Sequence, residues 1–482
     1  MVEKNQWDSR LSFLFAMIGA AVGLGNIWRF SYVVYSNGGG TFFIPYLIAI
    51  AVLGIPFLIL EYGIGYSFKD SFSNVLKRIN PKLEFVSWTL LLFVFIVLIY
   101  YTVILSWDLV YLGSSFTFSW GNDVALYFVQ NVGGSSNLSN LSSFIIPTTI
   151  GALIIWFIVW FISHRDLNDG IGKISRILIP ALFIMMIGIV LYALTLPGAN
   201  IGIQTLLQPD WSKLTDINIW LAAFSQILFS LSMGQAIALT YVSYLPDGSN
   251  LNDNVLLVVF ANSSFEVFTA FGMFSILGFM SFSTGTPMVQ LISEGTGLIF
   301  VVFPMIFNIM GLVGHIIAPL LFLAILFAGI TSAVAIFEPM MNSTEVKLKW
   351  SRKKTVTVLS IIGCICSLIF TTGISSYLVG VVDGFVNEFG ILFLTAVQCI
   401  IFTWMYNVDS LIPVINENSK FKVGSLWKIT IKYVLPFFLI GMWLIGVFNL
   451  FTDVGSFEAM VYIIIMVLVL LFSGILTKIN AD

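Results

Sequence analysis

The chain has 482 residues, of which 59% are hydrophobic and only 9% are charged. Soluble proteins carry about 25% charged residues, so this chain has too little polar surface to cover itself in water. Its formal net charge of −3 offers no basic surface for nucleic acid. The composition disfavours a soluble enzyme or a nucleic-acid-binding protein and predicts an all-α polytopic membrane protein.

Apolar segments of about 20 residues, the length that crosses a bilayer, recur along the chain. We predict 12 transmembrane helices, because lipid offers backbone N–H and C=O groups no other partners. The predicted spans are 11–35, 41–67, 84–112, 144–163, 174–196, 217–244, 254–282, 314–341, 355–373, 380–406, 429–450 and 457–477.

The distribution of Lys and Arg indicates the orientation of these spans. With the N-terminus in the cytoplasm, only Arg29 and Lys213 of the 21 basic residues lie outside the cytoplasmic segments. This is the asymmetry that the positive-inside rule expects, so both termini are predicted to be cytoplasmic. Arg29 lies inside the first apolar segment, where a charge is usually functional or paired.

Small and polar residues interrupt two of the spans. Segment 19–26 of the first span contains three glycines and Asn26, and segment 229–235 of the sixth contains two serines, Gly234 and Gln235. Spans 1 and 6 take equivalent places in two five-span halves. That pattern is typical of inverted-repeat transporters that bind substrate between the repeats. A close helix crossing is the alternative.

We therefore predict one transporter domain over 1–482, built as a 5+5 inverted repeat with broken helices 1 and 6. Residues 1–10 would form a cytoplasmic N-terminus, 11–196 and 217–406 the two repeats, and 429–477 two accessory helices. Carbonyls freed at a broken helix suit a dehydrated monovalent cation, and helix N-termini suit a carboxylate. The sequence thus favours a small zwitterion or acid bound beside Na⁺.

Several short motifs occur in order over nearly the whole chain and together point to one known family. They are Trp7-x-x-Arg10, Asn26-x-x-Arg29-Phe30, Asn37-Gly38-Gly39-Gly40, Phe229-x-Leu231-Ser232-x-Gly234 and Phe327-Ala328-Gly329-x-Thr331-Ser332. With them the chain resembles the neurotransmitter:sodium symporter family, in its prokaryotic amino-acid transporter branch, which includes the bacterial leucine transporter. The resemblance implies sodium-coupled uptake of an amino acid by alternating access, and no enzymatic activity.

The resemblance also implies two Na⁺ sites and a substrate pocket. The first Na⁺ would be bound by Ala21, Asn26, Ser230, Asn262 and the substrate carboxylate. The second would be bound by Gly19, Val22, Ala328, Thr331 and Ser332. The pocket would be lined by Ala20, Ala21, Leu24, Gly25, Val97, Tyr101, Phe229, Ser230, Ser232, Gln235, Ser332 and Ile336.

Departures from the family pattern bear on the substrate. Gly23 replaces the aspartate that holds the amine in monoamine transporters, so the resemblance favours a substrate with its own carboxylate. The pocket contains no ionised side chain, which favours a neutral amino acid. Gln235 replaces an aromatic residue of the leucine transporter and Ala20 replaces an asparagine, so an amide would face the substrate side chain.

The resemblance further implies a gate at each end of the site. Arg29 and Asp383 would close the outer side, and Trp7, Arg10 and Tyr244 match inner-gate positions. The acidic partner that the family carries at the inner gate is replaced here by Val346, with Glu345 adjacent to it, and Lys4 replaces an arginine.

Glu266 stands where chloride-dependent relatives carry a small hydroxyl residue. It lies one helical turn from Asn262 on the same face, so its carboxylate can balance Na⁺ without Cl⁻. A buried carboxylate tends to protonate when the neighbouring cation leaves. We therefore predict chloride-independent uptake with proton counter-transport.

Two other functions stay open at this point, a transport-inactive amino-acid sensor of the same fold and a proton-coupled amino-acid transporter. The expected partners are a small amino acid and the lipid bilayer, with no nucleic acid and with a homodimer as one option. We expect a multi-pass protein of the cell (plasma) membrane. The short termini indicate a prokaryotic source.

Overall fold

The computed structural model describes residues 6–27, 29–292, 295–452 and 454–479. Helices make up most of these residues, and within these ranges there is no β-strand, only isolated β-bridges. The prediction of an all-helical polytopic fold is therefore confirmed.

The helices are numbered in chain order. The first part of the chain forms α1 (Arg10–Ala21), α2 (Leu24–Ile27), α3 (Arg29–Ser36), α4 (Gly40–Phe68), α5 (Phe72–Ile79), α6 (Pro81–Ser115), α7 (Val124–Asn131), α8 (Ile146–Ser163), α9 (Asn168–Ala193) and α10 (Ala199–Leu207). The remainder forms α11 (Ile217–Ser230), α12 (Ile237–Ser243), α13 (Leu251–Thr284), α14 (Met288–Leu291), α15 (Phe303–Met310), α16 (Gly314–Leu348), α17 (Arg352–Thr371), α18 (Ser375–Met405), α19 (Leu411–Asn416), α20 (Ser425–Thr452) and α21 (Ser456–Lys478).

Within the described ranges, ten helical stretches are long and apolar enough to cross a membrane. α1 and α11 are apolar but shorter, with 12 and 14 residues. Residues 283–313, which we predicted to lie outside the spans, contain α14 and α15. The count of twelve spans and the division into two repeats stay predictions.

Burial places α6 and α16 at the centre of the molecule. In α6, 78% of the most apolar window is buried, against 22% in α20 and in α21. α6 packs against α8, α16 and α21, and α16 also packs against α9. The two central helices therefore form the scaffold, whereas α20 and α21 expose most of their apolar surface, as helices that face lipid do.

α10 and α13 contact each other through backbone atoms. A Cβ atom at Gly202 would lie 1.7 Å from the Phe274 carbonyl oxygen, and one at Gly278 would lie 2.5 Å from the Gly198 carbonyl oxygen. Only glycine fits at such distances, and small residues are what allow membrane helices to approach this closely. This contact fixes α10 against α13.

We expect Gly202→Ala to lower the free energy of unfolding by about 3 kcal/mol, because the added methyl group forces the two helices apart. Gly188→Ala in α9 is the matched control, since a Cβ there meets nothing within 4 Å. Thermal unfolding of the detergent-purified variants would measure the difference. Equal melting temperatures for the two variants would contradict the contact.

Candidate functional site

The two helix ends at residues 21–24 and 230–237 lie against each other. α1 stops at Ala21 and α2 starts at Leu24, while α11 stops at Ser230 and α12 starts at Ile237. The Ser232 hydroxyl donates a hydrogen bond of 3.0 Å to the Ala20 carbonyl oxygen. The non-helical segment between α11 and α12 thus meets the C-terminal end of α1 inside the helical scaffold.

The segment between α11 and α12 has an unusual backbone. Ser232, Gly234 and Ala236 all adopt positive φ angles, of 50°, 72° and 61°. At Gly234 a Cβ would lie 2.0 Å from Thr395 Oγ1, so no larger residue fits beside α18. The Gly234 N–H donates to Glu61 Oε1 of α4 at 3.3 Å. Three neighbouring helices therefore hold this segment in one conformation.

A cavity of about 520 Å³ begins at these two interruptions. All twelve residues that we predicted to bind substrate line it. Arg29, Asp383 and Glu388 also line this cavity. A larger groove of about 1280 Å³ runs along α4, α9 and α13, but its walls are almost wholly aliphatic or aromatic, which suits lipid rather than a zwitterion.

Tyr101 lines the cavity and carries a buried hydroxyl. The neighbours of this hydroxyl are the Ser332 side chain and the Leu24 backbone, and it forms no strong hydrogen bond with either. A Cβ at Gly23 would lie 3.5 Å from the Tyr101 hydroxyl and 3.1 Å from Ser332 Oγ. Because residue 23 has no side chain, the space beside the hydroxyl stays open to a ligand. Buried polar groups without a partner require an explanation, and an anionic acceptor such as a carboxylate supplies one.

Three of the residues predicted for the first Na⁺ form a buried cluster. The Asn26 amide donates to Asn262 Oδ1 at 2.7 Å, and the Asn262 amide donates to Ser230 Oγ at 2.5 Å. Ala21, the fourth, is the last residue of α1, where a carbonyl has no intrahelical partner. Amide, hydroxyl and carbonyl oxygens are a donor set that fits Na⁺.

The residues predicted for the second Na⁺ also lie together. The Ser332 hydroxyl donates to the carbonyl oxygens of Gly19 and Val22 at 3.0 and 3.4 Å. The Thr331 hydroxyl donates to the Ala328 carbonyl oxygen at 2.9 Å. All five groups are neutral oxygens, which fits a monovalent cation. Two sites with the chemistry of sodium ligands therefore border the cavity floor.

Glu266 contacts the first of these clusters directly. Its carboxylate accepts hydrogen bonds from Tyr46 at 2.5 Å, Gln226 at 2.8 Å and Asn26 at 3.2 Å. The side chain is fully buried in α13. One of the three donors, Asn26, belongs to the predicted sodium site, so the Glu266 carboxyl group is part of the same hydrogen-bonded network.

Arg29 and Asp383, the predicted outer gate, both line the cavity. Arg29 donates to Gln226 Oε1 at 3.2 Å, and its guanidinium lies 5.2 Å from the centre of the Phe229 ring. Asp383 accepts from Tyr100 at 2.7 Å and from Asn387 at 2.8 Å. The ion pair between them stays a prediction.

The end of the molecule that carries the N-terminal segment is tightly closed. Trp7 is buried and donates to the Tyr241 carbonyl oxygen at 2.8 Å, and Arg10 donates to Asn254 Oδ1 at 2.8 Å. The Asp8 N–H donates to Asn168 Oδ1 at 3.0 Å. The Ser12 hydroxyl and Arg176 lower the pKa of the Asp8 carboxyl below its usual range. Lys4 lies outside the described residues.

Sequence reasoning missed the acidic residue at this end. Glu338 is fully buried in α16, accepts two hydrogen bonds of 2.8 Å from Arg352, and accepts one of 2.9 Å from the Tyr244 hydroxyl. Val346, the position aligned with the family's acid, is 42% exposed. The available signal was spacing, because Glu338 follows Thr331 by two helical turns and so shares its face.

Comparisons with known proteins agree with this geometry. The model described as the sodium:neurotransmitter symporter family matches residues 4–140 and 123–476. An uncharacterised sodium-dependent transporter of Methanocaldococcus jannaschii is 38% identical over 453 residues, which cover 94% of this chain and 92% of that protein. The sodium-dependent serotonin transporter of Drosophila melanogaster is 28% identical over 481 residues, which cover 92% of this chain and 76% of that protein.

We expect Glu338→Ala to destabilise the protein by about 3–5 kcal/mol, because it leaves the Arg352 guanidinium buried without its carboxylate. Arg352→Ala should have a similar effect, and the double variant should be no worse than either single one. A double-mutant cycle on thermal unfolding measures this coupling. Full additivity of the two single effects would contradict the buried ion pair.

Proposed function

This chain belongs to the sodium:neurotransmitter symporter family, and we infer that it couples the uptake of a neutral amino acid to two Na⁺. Family membership makes it a multi-pass, sodium-coupled symporter and not an enzyme. The amino-acid substrate and the two ions are our proposal. The observation that carries it is the buried, weakly hydrogen-bonded Tyr101 hydroxyl, which lines the cavity beside two clusters of oxygens with the chemistry of sodium ligands.

The substrate would complete the first sodium site. A carboxylate that accepts the Tyr101 hydrogen bond at the cavity floor lies near Ala21, where its other oxygen can reach the cation. Substrate and Na⁺ then stabilise each other, because neither the anion nor the cation is left unpaired in the membrane interior. An amino acid satisfies this requirement, whereas a decarboxylated amine does not.

The two ends of the cavity support alternating access. In this conformation the hydrogen bonds of Trp7, Arg10 and Glu338 close the N-terminal end, while the cavity extends to Arg29 and Asp383 at the other. With the termini in the cytoplasm, as the basic residues indicate, the open end faces outward. Each Na⁺ that enters releases about 2.3 kcal/mol of free energy per 100 mV of membrane potential, and this free energy drives accumulation of the substrate.

Glu266 would replace chloride in this mechanism. When Na⁺ occupies the first site, the ionised carboxylate balances its charge through the contacts with Asn26 and Gln226. After Na⁺ leaves, an ionised carboxylate in the bundle interior lacks compensation, and protonation removes the charge. Return of the protonated, empty carrier amounts to proton counter-transport without a requirement for Cl⁻.

We expect amino-acid uptake into proteoliposomes to require a Na⁺ gradient and Asn26→Ala to reduce uptake at least tenfold. The variant loses a buried amide that contacts both Asn262 and Glu266. The exposed Asn137→Ala serves as the control and should transport normally. Undiminished uptake in K⁺ or choline medium would refute sodium coupling of this substrate.

We expect Glu266→Ser to become dependent on added Cl⁻ and to lose the pH dependence of uptake, because the fixed, titratable negative charge is gone. The exposed Glu417→Ser is the matched control, with unchanged Cl⁻ and pH responses. Radiolabelled uptake with Cl⁻ replaced by gluconate measures the first effect. If the parent protein needs Cl⁻, or the variant ignores it, the role proposed for Glu266 is wrong.

A further inference from the structure

Gln235 presents an unpaired amide to the cavity. Its side chain lies on the wall that it shares with Tyr101, and the residue is only 7% exposed. Among the residues that the structure describes, none forms a hydrogen bond with the Gln235 amide. A carboxamide offers two donors and an acceptor, and leaving such groups unmet inside a protein is unfavourable. A substrate that displaces water from the cavity therefore has to supply partners for this amide.

The backbone keeps Gln235 at this place. Gly234 and Ala236 on either side both adopt left-handed φ angles. The Gly234 N–H donates a hydrogen bond to Glu61, and Gly234 packs against the Thr395 side chain. Glu61 is itself held by Gln398, whose amide donates to the same oxygen at 3.0 Å. The segment cannot withdraw without losing these contacts, so the amide is a fixed feature of the wall.

The surroundings of Gln235 define what it can recognise. Ala20, Val97 and Ile336 give the cavity an apolar wall on α1, α6 and α16, whereas the charged residues that also line it, Arg29, Asp383 and Glu388, belong to α3 and α18. An acidic or basic substrate side chain would be left without a counter-charge here. A purely aliphatic side chain would leave the amide without a partner.

We propose that the substrate is a neutral amino acid whose side chain ends in a hydroxyl or carboxamide group, and that Gln235 selects it. This rests on the proposed function, in which the substrate carboxylate lies near Tyr101. The apolar wall packs against the stem of the side chain, and the Gln235 amide exchanges hydrogen bonds with its polar end. Gln235 is thus a specificity-determining residue.

The test compares pairs of similar shape, threonine with valine and glutamine with methionine. Dissociation constants are measured in Na⁺ by binding of radiolabelled amino acid, alongside the shift in melting temperature. The wild-type protein should bind the polar member of at least one pair at least 10-fold more tightly. A site that hydrogen-bonds its substrate rejects the analogue that lacks the polar group by a large factor.

Gln235→Met keeps the length of the side chain but removes its hydrogen bonds. It should weaken binding of the polar member at least 10-fold while binding of the apolar member changes less than about 3-fold. Gln235→Asn keeps an amide and should retain the preference for the polar amino acid. This variant provides a second test if Gln235→Met folds poorly. Gln290→Met, at an exposed glutamine of α14, should match the wild type.

The outcomes separate this inference from the function on which it rests. If valine and methionine bind more tightly than threonine and glutamine, or if Gln235→Met affects both members of a pair equally, the inference is wrong and amino-acid transport stands. If no amino acid binds in Na⁺, the proposed function is wrong and the inference falls with it.

Discussion

The hydrogen bond from the Ser232 hydroxyl to the Ala20 carbonyl oxygen joins the non-helical segment between α11 and α12 to the last turn of α1. Inside a membrane every free backbone group needs a partner, so the ends of interrupted helices bond to neighbouring groups or hold a ligand. The cavity, the two oxygen clusters and the polar groups of Tyr101 and Gln235 all lie around this contact.

Asn26 connects the chemistry of the site. Its oxygen accepts from the Gly23 N–H at 2.9 Å, and its amide nitrogen donates to Asn262 and to Glu266. Gln226 extends the network, since it donates to Glu266 and accepts from Arg29. A continuous chain of hydrogen bonds therefore connects the proposed sodium site to the Arg29 guanidinium.

The helical fold could be predicted from the sequence, because hydropathy and small-residue patches report directly on membrane helices and their ends. The pocket and ion-site residues came instead from the family resemblance, and the twelve pocket residues line one cavity. Spacing from Thr331 places Glu338 on a known helix face, but its pairing with Arg352 depends on how α17 turns back against α16, which no periodicity reveals. α15 is apolar and directly precedes α16, so hydropathy alone does not separate it from the neighbouring span.

Asn168 fastens the N-terminal segment to the start of α9 by bonding backbone atoms on both sides, accepting from Asp8 and donating to the Gln6 carbonyl oxygen at 2.8 Å. The attachment lies at the first residue of the π-type turn Asn168–Gly172, a rare helical form that occurs frequently at functional sites. Displacing the N-terminal segment therefore breaks both hydrogen bonds to Asn168, so an asparagine outside the two predicted ion sites links movement of this segment to the start of α9.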